Sequence, residues 1–149
     1  MSSSTSDGHP AELERLLIER ACERLCLEYA RLIDLGRAAE AIDLFADDAE
    51  LELTAGPMRG RNEIATFFTK RQAAAVVSRH VITNVTIDVH STTEASGVAY
   101  LTLYRREHSG EAPVPLGSPN FVGHYDDEYV LTQAGWRFRR RTSNVVFQG

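Results

Sequence analysis

Residues 25–50, LCLEYARLIDLGRAAEAIDLFADDAE, carry in one run the end of an apolar helix, a glycine stop, a second short helix and the approach to a first strand. Read backwards from there, Leu13, Leu16, Leu17, Ala21, Leu25, Tyr29, Leu32 and Ile33 recur at i, i+3, i+4 spacing, which predicts a helix over residues 11–35. Ile18, Cys22, Cys26 and Ala30 form a second apolar flank, so the helix is expected to be covered on more than one side. Gly36 is suited to the C′ position that ends it. Residues 37–46 continue as a second helix, with Ala38, Ala41, Ile42 and Phe45 at helical spacing. Asp34 stands out. It extends the row of Leu27 and Ala30, and it occupies a last helical turn, where a carboxylate is disfavoured by about 0.3–1 kcal/mol. That placement calls for a hydrogen-bond donor or a cation beside it.

Working outward, residues 50–53 alternate as a short strand, and Ala55-Gly56-Pro57 is a turn. A third helix runs from Asn62, a suitable N-cap, to about Ala74, with Ile64, Phe67 and Phe68 on its apolar face. The period then falls from 3.6 to 2. Residues 79–90 place Val81, Thr83, Val85, Ile87 and Val89 on one face and His80, Ile82, Asn84 and Thr86 on the other. Residues 95–107, 120–131 and 136–146 are further strands, with a proline-rich loop over 109–119. In the third of these four strands Phe121, Gly123, Tyr125, Asp127 and Tyr129 share a face opposite His124. Helices first and hairpin-joined strands after predict an α+β fold on an antiparallel sheet. Curved, with three helices across its concave side, such a sheet encloses a pocket and leaves its other face for a second subunit.

One domain of residues 11–149 follows from the length of 149, with 1–10 expected to be a disordered tail. The net charge of −5 speaks against a nucleic-acid or anionic-membrane surface, and no apolar run reaches a membrane span. MSSSTSDGHP lacks the basic and apolar regions of a signal peptide, which points to a cytoplasmic location. Arg105–Arg106 and Arg139–Arg141 are expected on solvated strand edges. Cys22 and Cys26 are expected as small core hydrophobes, because a bridge along one regular helix is geometrically poor.

His80, in RHVITN, begins a strand. If Asp34 reaches it, the carboxylate accepts Nδ1–H, fixes the tautomer and leaves Nε2 to take a proton from carbon. Tyr29 is placed to donate a hydrogen bond to an oxygen or leaving group. His9, His80, His90, His108 and His124 show no metal-ligand spacing, so no metal is expected, and glycine-rich phosphate loops and GxSxG elbows are absent from the sequence.

Four segments in order, YARLIDLGRAAEAIDLFADDAEL, GRNEIATFF, RHVITNVTID and FVGHYDDEYVLTQAGWRF, resemble the SnoaL-like domains of the nuclear-transport-factor-2-like superfamily over about residues 12–146. The resemblance implies a cone: a curved antiparallel sheet, three helices, a deep apolar pocket and pairing of two copies through the sheet. The branch similar to scytalone dehydratase, bile-acid dehydratase and hexachlorocyclohexane dehydrochlorinase uses an Asp–His dyad without cofactor, and Asp34 and His80 match its two positions. Tyr29 matches a tyrosine one turn earlier. Leu53 stands near the place of the carboxylate base of the steroid-isomerase branch, and Leu101 or Leu103 replaces a second pocket histidine of scytalone dehydratase. RHVITN, LYRRE and FVGHYDDEYVL also resemble the small subunit of ring-hydroxylating dioxygenases, a structural role.

The leading expectation is therefore a cofactor-independent, dehydratase-type lyase for a small apolar cyclic substrate. In it His80 is the base, Asp34 its orienter and Tyr29 the polarising group, with Phe68, Met58 and His124 in the pocket wall. The alternatives are a binding or accessory subunit with the same cone, and an isomerase or cyclase using the same base.

Overall fold

The computed structural model describes residues 10–108 and 110–149. The expected tail falls almost wholly outside the described residues. Helix α1 spans Glu12–Asp34 and is followed by a short 3₁₀ helix, Ala38–Leu44, where an α-helix was expected. Strands β1 (Phe45–Leu53) and β2 (Gly56–Arg59) lead into helix α2 (Gly60–Ala73). Four long strands complete the chain: β3 (Val76–Val89), β4 (Glu94–Glu107), β5 (Phe121–Thr132) and β6 (Gly135–Gln148). They form one six-stranded, curved and unclosed sheet in the order β2-β1-β6-β5-β4-β3. The sheet is antiparallel except at β1–β6, which run parallel. That pair corrects the all-antiparallel expectation, and it arises because β2 and helix α2 lie between β1 and the meander that ends in β6.

The end of α1 is set by its own backbone. Arg37 N–H donates to Leu32 O at 2.8 Å and Gly36 N–H to Ile33 O at 3.4 Å, the paired bonds of a Schellman stop. Gly36 holds φ +79°, a conformation strained for any residue with a Cβ. Asp34 is thereby fixed as the last helical residue. The helix buries Ile18, Cys22, Leu25, Cys26, Tyr29, Ala30, Leu32 and Ile33, while Leu13, Leu16 and Leu17 are exposed. The buried stripe in the first turns is thus the Ile18–Cys22–Cys26 flank. α2 begins without a side-chain cap, so Asn62 does not play the expected role.

Bulges redirect the sheet. In β3 the register passes from Thr83↔Tyr100 to Thr86↔Val98, and the extra residue there includes Asn84 at φ +50°. Burial alternates as Ser78, His80 and Ile82 before the bulge and as Val85, Ile87 and Val89 after it. His80 and Val89 therefore share the inner face, and the expectation that Val81 through Val89 share one face fails at Asn84. β6 has a second bulge, between Arg140, paired with Glu128, and Phe138, paired with Tyr129. It turns both Phe138 and Arg141 inward, three residues apart.

Under the sheet the core joins α1, the 3₁₀ helix and α2 to the inner rows of β4, β5 and β6. Tyr29 lies at its centre, edge-on to Phe45, Phe68, Tyr125 and Phe138, with ring centroids 5.8–6.2 Å apart. Cys22 and Cys26 are buried free thiols, as expected.

Candidate active site

Asp34, fixed at the end of α1, projects onto the start of β3. Its Oδ1 lies 2.7 Å from His80 Nδ1 and accepts Ser78 Oγ–H at 2.7 Å, and its Oδ2 accepts the His80 backbone N–H at 2.7 Å. β3 is an edge strand, so that N–H points away from the ladder, and Asp34 takes the place of a neighbouring strand. The side chains of His80 and Asp34 are 10% and 8% exposed, which shields the pair from bulk water. Burial pushes the Asp34 pKa up, but the bonds and charge of His80 and the Ser78 hydroxyl outweigh it, and the net displacement is downward. An ionised Asp34 accepts only, so Nδ1 donates to it, and in the neutral form of the ring Nε2 is the basic atom.

The network continues away from the ring. Ser78 Oγ, while donating to Asp34, accepts from Arg71 Nη2 at 2.8 Å. Arg71 lies one turn after Phe67 on α2, and the two side chains open on the same cavity. That cavity has a volume of about 110 Å³. Ile33, Leu53, Phe67, Leu103 and Phe121 form its apolar walls, and Tyr29, Arg71, Ser78, His80, Arg105 and Ser143 its polar ones. Its lining is mixed, with these polar side chains among the apolar walls of the pocket expected. Leu53 and Leu103 both line it.

Tyr29 is 2% exposed and lines the same cavity, its ring edge-on to the imidazole at a centroid separation of 6.3 Å. Burial pushes its phenol up to about 12, against the opposing pull of Arg141. At neutral pH it is a hydrogen-bond donor and not a base. The wall residues named from sequence lie elsewhere. Phe68 is fully buried in the core, and its neighbour Phe67 takes the wall position. Met58 packs against the core from β2 without lining the cavity. His124 lies on the opposite face of β5 from Tyr125, near Asp126, because strand side chains alternate.

Behind Tyr29 sits an ion pair that sequence reasoning missed. Arg141, expected at a solvated edge, is fully buried and bidentate to Asp127 through Nε and Nη2, at 2.7 and 2.8 Å. Its guanidinium carbon is 3.9 Å from the Tyr125 ring centroid and 4.5 Å from that of Tyr29. Tyr129 Oη donates to Asp127 at 3.0 Å, and Cys26 Sγ lies 2.9 Å from that hydroxyl. Sequence alternation put Asp127 on one face with Tyr125 and Tyr129 but did not mark that face as the inner one, which the burial of all three shows it to be. Ser78 and Arg105 could have been found, since they keep step with His80 and with Leu103 on their own strands. Among the described residues no three His, Cys, Asp or Glu side chains gather in a metal-binding group, and no helix is long and apolar enough to cross a membrane.

A SnoaL-like domain model matches residues 14–142. Solved structures similar to this one include a candidate scytalone dehydratase from Novosphingobium aromaticivorans DSM 12444, at 24% identity and a TM-score of 0.78, covering 93% of this chain and 91% of that one. An NTF2-like protein with a cystatin-like fold from Novosphingobium aromaticivorans is 23% identical with a TM-score of 0.71, over 89% and 84%. Hexachlorocyclohexane dehydrochlorinase LinA-type3 from Novosphingobium barchaimii LL02 is 16% identical with a TM-score of 0.73, over 93% of both chains. At these identities the likeness establishes the fold. No curated protein sequence matches the chain.

Proposed function

The chain belongs to the SnoaL-like domain family, and from that premise we propose that it is a cofactor-independent lyase of dehydratase type. The observation that carries this reading is the 2.7 Å contact between Asp34 Oδ1 and His80 Nδ1 at the wall of a cavity. His80 Nε2 takes a proton from a carbon of the substrate. The electron pair left behind forms the carbon–carbon double bond as the neighbouring C–O bond breaks. Tyr29 donates a hydrogen bond to the departing oxygen, and the proton on His80 completes the water. Asp34 holds the tautomer and stabilises the imidazolium. General base catalysis of this kind supplies roughly 10²–10⁴-fold. Two similar structures carry names, dehydratase and dehydrochlorinase, that denote loss of a small molecule from adjacent atoms, which supports elimination over isomerisation or cyclisation by the same base.

A second reading has its own support. Two of the three bonds to Asp34 come from Ser78 Oγ and the His80 backbone, and they would tie α1 to β3 in a non-catalytic binding or accessory subunit. One experiment separates the two. Small cyclic β-hydroxy carbonyl compounds are incubated with the protein, and formation of the conjugated product is followed by absorbance. The lyase reading requires turnover that His80→Gln lowers by about 10²-fold or more. Equal rates for both proteins would sink it. We further propose pairing of two copies through the outer sheet face, where Val81 and Tyr100 are exposed, to be checked by sedimentation velocity.

A further inference from the structure

Arg71 and Arg105 line the cavity that holds His80, and among the described residues neither guanidinium has a carboxylate within ion-pair distance. The contrast with the rest of the surface is plain. Arg31, Arg37, Arg61 and Arg139 are each paired with a Glu or Asp, in a chain whose acids outnumber its Lys and Arg by 21 to 16. The nearest acid in this network, Asp34, meets Arg71 only through Ser78 and is already occupied by three donors. Burial, and after it the neighbouring Arg105 charge, pushes the Arg71 pKa down. Two like charges are therefore held together at one opening, an arrangement that an anion would relieve.

Size narrows the class. An apolar cavity of about 150 Å³ accepts one benzene ring, and the cavity here is about 110 Å³. Resting on the lyase reading of the same cavity, we propose that the substrate is a small carboxylic acid of no more than one ring. Its carboxylate is held by Arg71 and Arg105, and its proton-bearing carbon lies beside His80. A guanidinium matches a planar carboxylate with two parallel hydrogen bonds, which a neutral amide of the same shape cannot accept in the same way.

The test uses benzoate, its neutral isostere benzamide, and inorganic phosphate, titrated into the full chain by calorimetry. Benzoate is expected to bind at least about tenfold more tightly than benzamide. Arg105→Gln, at an exposed position with no side-chain partner to lose, is expected to weaken benzoate about tenfold and leave benzamide unchanged. Arg105→Lys should retain part of the preference. No benzoate binding, equal affinity for benzamide, an unaltered benzoate affinity in Arg105→Gln, or phosphate binding as tightly as benzoate would each overturn the assignment. His80→Gln separates this inference from the lyase reading. Benzoate affinity is expected to stay within about twofold in that variant while turnover is lost, so a dead enzyme that still selects benzoate contradicts neither claim. A wild type that selects benzoate and turns over nothing contradicts the lyase reading alone.

Discussion

Asp34 holds two parts of His80 at once: Oδ1 lies 2.7 Å from the ring Nδ1 and Oδ2 lies 2.7 Å from the backbone nitrogen. The ring is oriented by the same side chain that anchors its strand. Stability and orientation are therefore coupled at one carboxylate, and the acid limb of stability should report it. Asp34 titrates below its ordinary value of 3.8 in the fold. A depressed carboxylate contributes stability that is fully present above the unfolded pKa and is lost as pH falls through the folded one. Asp34→Asn should thus be less stable than wild type by about 1–3 kcal/mol at pH 7. Urea unfolding should show that gap closing as pH drops below about 4. A gap of the same size at pH 3 and pH 7 would show that Asp34 is not the titrating group.

The buried pair of Arg141 and Asp127 predicts an asymmetry between single and double replacement. Arg141→Met alone leaves Asp127 buried and unpaired and should cost about 3–5 kcal/mol. Asp127→Leu combined with Arg141→Met removes both charges and should cost clearly less than the sum of the single changes. Chemical denaturation of the three variants measures the coupling, and additive losses would argue against a paired, desolvated interaction.

Thiol reactivity checks the burial of α1. Burial pushes Cys22 up to about 12 and Cys26 up to about 11, and both side chains are inaccessible. Neither thiol should react with a disulfide reagent at pH 8 on the timescale of the folded protein, and both should react at once in denaturant. Rapid labelling of the native chain would contradict the packing of α1 on the sheet.

Gly123 reports on the close approach of β5 and β6. A Cβ there would overlap Asn144 O, a backbone atom with no freedom to withdraw. Gly123→Ala should destabilise by about 1–3 kcal/mol in thermal or urea unfolding. A neutral result would mean that the strands do not approach as described.

Much of this was legible in the chain. Helical spacing and Gly36 located the end of α1, and an acid at the wrong end of a helix dipole singled out Asp34. Period-2 alternation put Asp127 and Tyr125 on one face of β5, although the choice of His124 for the pocket wall took the other face as the inner one. Two strand readings failed at bulges, because counting by twos carries no signal of an inserted residue. Asn84 moves Val85, Ile87 and Val89 onto the face of His80, and the irregularity after Phe138 takes Arg141 from a strand edge into the core. The exchange of Phe68 for Phe67 is a rotation on α2 that is set by the core around Tyr29 and not by local spacing.

The central claim is that Asp34 fixes His80 with its proton on Nδ1 and leaves Nε2 as a base. Nitrogen-15 NMR of the His80 ring in wild type and Asp34→Ala, at a pH where the ring is neutral, tests it most directly. The account predicts a protonated Nδ1 and an unprotonated Nε2 in wild type, with the preference lost in the variant. A wild-type ring that carries its proton on Nε2, or a tautomer unchanged by removal of Asp34, would contradict it.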